Sequence, residues 1–223
     1  LEWSVWAWGA ALTCWLIDRG VILGETADET VWRHLDGVVG QTYPDLRGTR
    51  WPIDLFGVDT GFLASWGYMF ARRHAASNRV FALKGEDGWH RLAVGSSTAA
   101  DVDFAGKRIG TVRLFPVGTW SMKSETYASL RKTLDGRDET TGEWKVGTLH
   151  LPDWIDRDAI RQLTAEYFVT STNKRGQTSK QWVKASGRAN ELLDMHVYSR
   201  ALAHHLYDPL PPADVLALAA RRG

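Results

Sequence analysis

The chain has 223 residues, 44% hydrophobic and 24% charged, a globular composition with length for one large domain or two small ones. No apolar run approaches the roughly 20 residues that cross a bilayer, so no transmembrane span is expected. One cysteine, Cys14, excludes an intramolecular disulfide and a cysteine-rich zinc site and fits a reducing compartment; 27 basic against 26 acidic side chains, net +1, give no bulk case for nucleic acid. Twelve tryptophans are many for this length. They have two possible uses, core packing or a surface that stacks bases or sugars, and core packing is the expectation. The chain opens at Leu1 in mid-pattern, with no basic n-region or cleavage site. It reads as the cut edge of a longer polypeptide and not as a signal peptide.

In chain order, Leu1 to Trp8 is rich in strand formers, Gly9-Ala10-Ala11 is a turn, and Leu12 to Asp18 returns as a second strand. Val31, Leu35 and Val38 recur at helical spacing after an acidic start, which predicts a helix over 30–39. Residues 51–58 read as an apolar strand that stops at Asp59-Thr60-Gly61, residues 63–76 as a helix, and 79–84 as a short strand. That order is a βαβ unit with locally parallel strands. The Gly-, Ser- and Asp-rich segment 86–110 reads as a loop. A strand over 111–117, a helix over 124–134, a turn, a strand over 146–151 and a helix over 158–168 follow. Residues 173–187 are polar and basic, 189–206 form the last long helix, and Pro209-Leu210-Pro211-Pro212 opens a tail to Gly223. There is no internal repeat. The class is mixed α/β, with a domain over 1–208 and a tail over 209–223.

Asp59 stands at the carboxyl end of an apolar strand, where sites form in open α/β sheets. A carboxylate there can hold a hard cation such as Mg²⁺, or it can cap the next helix; the local pattern leaves both open. Glu191 and Asp194 share one face near the start of the last helix, where acids serve a metal or complement the dipole. The stretch between Tyr167 and Asn190 has no acid and five basic residues, Lys174, Arg175, Lys180, Lys184 and Arg188. A second acid-free stretch, 60–85, carries Arg72, Arg73, Arg79 and Lys84. Basic runs are commonly solvated faces, but two of them flanking the candidate acids favour a phosphodiester substrate. The seven histidines have no metal spacing, there is no phosphate-cradling P-loop, and Cys14 reads as a buried, inert thiol.

Several short segments, none strong alone, form an ordered set: Trp15-Leu16-Ile17-Asp18 with Gly24, Asp59-Thr60-Gly61, Leu83-Lys84-Gly85, and Val117-Gly118-Thr119 with Lys123. Leu149-His150-Leu151-Pro152, Gln162-Leu163-Thr164-Ala165-Glu166 and Asn190-Glu191-Leu192-Leu193-Asp194 with Val197-Tyr198 complete it. Together they resemble the C-terminal nuclease domain of the large terminase subunit of tailed bacteriophages, in the lambda-like GpA family. The resemblance implies an RNase H-like mixed sheet flanked by helices. It also implies metal-dependent cutting of concatemeric double-stranded DNA, by metal-activated water attack on the phosphodiester. Carried over, Asp59 and Asp194 become catalytic metal ligands for one or two Mg²⁺ or Mn²⁺ ions, with Glu191 close by. Lys84 and Lys123 become phosphate contacts, and Lys180, Lys184 and Arg188 join them at the DNA. The family's first-strand aspartate is expected just ahead of Leu1. An upstream ATPase domain of the same polypeptide, the small terminase subunit and the portal or procapsid are the implied partners. The implied setting is the cytoplasm of the infected bacterial host, with no membrane.

Two other functions are compatible with the same residues. One is a module that docks DNA or portal without cutting, in which the tail from Pro209 could take part. The other is an RNase H-like resolvase or transposase.

Overall fold

The structure, a computed structural model, describes residues 1–173 and 175–207; the tail expected over 209–223 lies outside them. Strands β1 (Glu2–Trp8) and β2 (Cys14–Val21) form the predicted antiparallel hairpin, with Trp8 opposite Cys14. Helix α1 (Glu29–Val39) begins where Asp28 accepts a hydrogen bond from the Thr30 amide, and buries Val31, Trp32, Leu35 and Val38. The strand expected over 51–58 is two elements. β3 (Thr42–Pro44) and β4 (Arg50–Pro52) make a small ribbon, and β5 (Phe56–Asp59) starts afresh. Pro52 brings no N–H to a ladder, so it ends the ribbon strand.

Helix α2 (Ala64–Arg73) and strand β6 (Val80–Glu86) complete the βαβ unit, with Val58 opposite Ala82 in parallel register. The segment expected as a loop over 86–110 instead holds β7 (Thr98–Phe104) and the start of β8 (Lys107–Gly118), a long antiparallel hairpin. Only Val102 of β7 is buried, so the half-buried alternation that marks a strand is nearly absent there.

Helix α3 (Thr119–Asp135) leads to a two-residue strand β9 (Leu149–His150) and to helix α4 (Arg157–Leu163), capped by Asp156. The helix expected to reach 168 stops at Leu163. Residues from Glu166 onward form β10 (Glu166–Thr172), paired with β11 (Thr178–Lys184) in a further antiparallel hairpin. Helix α5 (Glu191–Tyr207) closes the described chain.

The sheets are mixed. One runs β1-β2-β9 and the other β5-β6-β8-β7, with β5, β6 and β8 parallel and β7 antiparallel at the edge. On one face of the second sheet, Trp32 and Leu35 of α1 and Phe70 and Ala71 of α2 pack with Val58 and Ala82. On the other, Leu83 and Val117 meet Met122 of α3 and Leu193, Val197 and Leu202 of α5. Helix α5 also lies against β1 of the first sheet, with Leu192 packed on Ala159 and Leu163 of α4. The carboxyl ends of β5 and β6 therefore face the start of α5. Among the described residues no helix is long and apolar enough to cross a membrane.

Candidate active site

Alternation along β5 places Asp59 on the same side as Gly57, where Leu202 of α5 approaches. Its carboxylate accepts from the Gly61 amide at 2.8 Å and from the Tyr198 hydroxyl, on α5, at 3.2 Å. Helix α2 starts at Leu63, in left-handed backbone and with no side-chain cap. The capping use of Asp59 is thereby excluded, and its carboxylate stays exposed at the sheet end. The Gly85 amide donates to the Tyr198 oxygen at 3.0 Å. A Cβ at residue 85 would lie 2.9 Å from that oxygen, so glycine is what lets the tyrosine seat over the sheet end. Burial and the Asp59 and Asp194 carboxylates hold the phenol well above its ordinary range.

Across from Asp59, one turn into α5, stands Asp194. Lys123, buried on α3, reaches the two Glu166 oxygens at 2.7 and 2.8 Å and lies 3.7 Å from Asp194. Asn190, just before α5, donates to both Glu166 (3.0 Å) and Asp194 (2.8 Å). Gln162 caps the Leu192 amide at 3.0 Å, fixing the start of that helix. Asp194 is pushed up to about 6, first by burial, then by the carboxylates of Glu166, Asp59 and Glu191; Lys123 opposes the rise. Four acidic groups thus act within one electrostatic neighbourhood, against one ammonium.

The structure brings Asp59, Asp194 and Glu191 into this neighbourhood. It places Lys123 within it too, but buried and turned to Glu166. Lys84 is not part of it: Leu83 faces α5, so alternation puts Lys84 on the opposite side of the sheet. Lys180 and Lys184 lie on β11, and Arg188 on the link to α5. Lys184 approaches Asn190 at 3.4 Å, so the basic hairpin adjoins the acidic cluster. Glu166, Asn190 and Tyr198 lie in segments that carry the family resemblance, but the sequence reading gave none of them a role at the site. Placing Glu166 inside a helix hid it, although the β-rich run Tyr167-Phe168-Val169-Thr170 behind it signals a strand. Among the described residues no three His, Cys, Asp or Glu side chains converge as a closed metal cluster. His196, buried against Cys14 and Thr126, is held neutral by burial at about 3 and is structural.

Fold and site define a class: an α/β domain with an acidic site beyond the carboxyl ends of its parallel strands, beside a basic hairpin. Residues 1–208 match the family described as terminase large subunit gpA, endonuclease domain, and the chain belongs to that family. The large terminase subunit of Escherichia phage lambda is 30% identical over 201 residues, and that of Enterobacteria phage P21 is 25% identical over 205. Each alignment covers 90% of this chain but 30% of the relative, so the chain spans about a third of their length. No solved structure matches it.

Proposed function

We propose that this domain is the DNA-cutting part of a viral packaging terminase, hydrolysing phosphodiesters of concatemeric double-stranded DNA with Mg²⁺ or Mn²⁺. The observation that carries the reading is the placement of Asp59 at the sheet end against Tyr198, one turn after Asp194 on α5, in a family of endonuclease domains. The sheets with helices on both faces support an RNase H-like arrangement. The donor set fits a hard cation of the loosely held kind. Mg²⁺ commonly binds through one or two carboxylates and keeps several waters, and Asp59 and Asp194 supply two. Glu166 is already engaged by Lys123 and Asn190, so its role is to hold them in place. A divalent cation bound there would stabilise negative charge developing on the attacking and leaving oxygens.

The chain's own groups do the rest. Tyr198 orients Asp59, and Asn190 orients Asp194. Lys180, Lys184 and Arg188 lie where they can hold the DNA backbone as it enters. An upstream ATPase domain of the same polypeptide, a small terminase subunit and a portal or procapsid as partners, and the host cytoplasm as setting, belong to the same proposal. The test is Mn²⁺-dependent nicking of a supercoiled plasmid by this chain and by a form extended upstream of Leu1, each beside its Asp59→Ala and Asp194→Ala variants. Nicking that both substitutions abolish supports the assignment. Nicking that survives either of them overturns it, and DNA binding without nicking in every form turns the reading to a docking module.

A further inference from the structure

Beside the acidic cluster lies a cleft of about 690 Å³, between the loop after β6 and the β10–β11 hairpin. Its walls are Trp89, Trp120 and Phe168, with His90, Lys180 and Gln181 around them. That volume falls in the roughly 300–1,000 Å³ range of small-molecule sites. The rings meet edge to face: Trp89 with Trp120 at 5.3 Å and 66°, and Trp89 with Phe168 at 5.6 Å and 69°. In such a pair one ring's faces are left uncovered by its partner. Trp89 and Phe168 are 40% and 42% exposed, large apolar groups that no core requires. The Trp89 indole donates to the Lys180 carbonyl at 2.7 Å, tying loop to hairpin so that the cleft is preformed.

Its place relative to the site is fixed by short chain connections. Phe168 is two residues beyond Glu166 on the same strand face, and Trp120 is one turn before Lys123. Ring contacts continue from Phe168 to Trp182 and from Trp182 to Tyr127, whose hydroxyl accepts from the Glu166 amide. The hairpin that forms one wall has no acidic residue from Tyr167 to Asn190 and carries Arg175, Lys180 and Lys184. An open, largely apolar cleft that presents ring faces beside Lys180 suits a group that is flat, aromatic and attached to a polyanion. We infer that the cleft receives one unpaired base of the DNA strand lying at the acidic site, stacking it among Trp89, Trp120 and Phe168. The inference rests on the DNA reading above. Stacking on aromatic side chains is tolerant of sequence, so this slot recognises an unstacked base and not a base identity.

The test uses three short fluorescein-labelled duplexes of one sequence: fully paired, with a single bulged thymidine, and with an abasic residue at that bulge. Anisotropy titrations in EDTA measure binding without cutting. The native chain is expected to bind the thymidine bulge about fivefold to tenfold more tightly than the abasic bulge, whose backbone is the same. Trp89→Leu and Phe168→Leu each bring that ratio towards one, and Phe168→Tyr, which keeps the ring, retains it. Equal affinity of the native chain for the two bulges overturns the inference, as does a ratio that survives both leucine variants. Loss of binding to all three duplexes overturns the DNA reading and this inference together. Binding to all three with no preference for the base overturns this inference alone.

Discussion

Replacing Lys123 with methionine removes one ammonium and leaves its packing volume nearly unchanged. Its partner Glu166 has a side chain only 5% exposed, and after the substitution the Asn190 amide is the donor left to it. Breaking a buried ion pair from one side typically costs about 3–5 kcal/mol, because the remaining charge is stranded. With that amide still in place the lower end applies, about 3 kcal/mol. For a domain of this size that lowers the melting temperature by roughly 6–12 °C. Glu166→Gln should be milder, since Lys123 keeps the Asp194 carboxylate at 3.7 Å as an ion-pair partner. The double variant should recover most of the loss, to within about 1.5 kcal/mol of the parent, because no charge is stranded. Urea unfolding followed by tryptophan fluorescence measures all three. A Lys123→Met variant within about 0.5 kcal/mol of the parent refutes the reasoning, as does a double variant no more stable than the single one.

Asp194 gives a pH signature of definite sign. Its folded value of about 6 lies above the ordinary 3.8, so the native state binds more protons between those values and stability falls as pH rises through that window. Asp194→Asn should therefore be more stable than the parent above about pH 6, lose that advantage below about pH 4, and not cut; thermal melts across pH check it. Mn²⁺ should draw the Asp194 titration to lower pH, read by carboxyl-selective NMR. Gly85→Ala forces the Tyr198 hydroxyl or Thr119 to move from a Cβ placed 2.9 and 3.0 Å away, and should cost about 1–3 kcal/mol in urea unfolding and slow nicking. Cys14, buried and pushed up to about 12, should resist thiol reagents in the native state, so labelling reports unfolding; rapid labelling of folded protein would contradict its burial. Neutralising Lys180, Lys184 and Arg188 together should flatten the salt dependence of duplex binding by about 2–3 in log–log slope.

What could be read from the sequence divides along burial. The β1–β2 hairpin, α1 and the β5–α2–β6 unit each bury one face in register, and the periodicity of Val31, Leu35 and Val38 is the trace of that burial. β7 and the β10–β11 hairpin are mostly exposed, so polar residues satisfy their ladders without leaving a pattern. Asp59 and Asp194 stood out because one ends an apolar strand and the other sits in a first helical turn. Lys84 stood out as part of a basic, acid-free stretch and of the Leu83-Lys84-Gly85 resemblance, yet Leu83 decides its side of the sheet. Glu166 needed the hairpin before it could be placed. The tryptophans divide too: Trp32 is core, whereas Trp15, Trp89 and Trp154 stay exposed. Core packing, the expectation, accounts for only part of them.

The electrostatics of the acidic site show how a nearly neutral chain can still carry strongly segregated charge. Burial above all, and then three carboxylates, Glu166, Asp59 and Glu191, act to keep Asp194 protonated, and one ammonium, Lys123, opposes them. That ammonium makes its two short bonds to Glu166 and stands farther from Asp194, at 3.7 Å, so it offsets the charge of Asp59 and Asp194 less than that of the buried acid. Burial first, and then that imbalance, raises Asp194 to about 6, and a divalent cation bound at the pair would lower it again. The adjoining hairpin supplies the opposite sign, with Lys180 and Lys184 and no acid of its own between Tyr167 and Asn190. In the proposed function, charges segregated this way would draw a phosphate backbone to the hairpin and leave the acidic pair for a metal. The same near-zero total leaves little long-range attraction for DNA, so tight binding in the proposed terminase has to draw on the rest of the assembly.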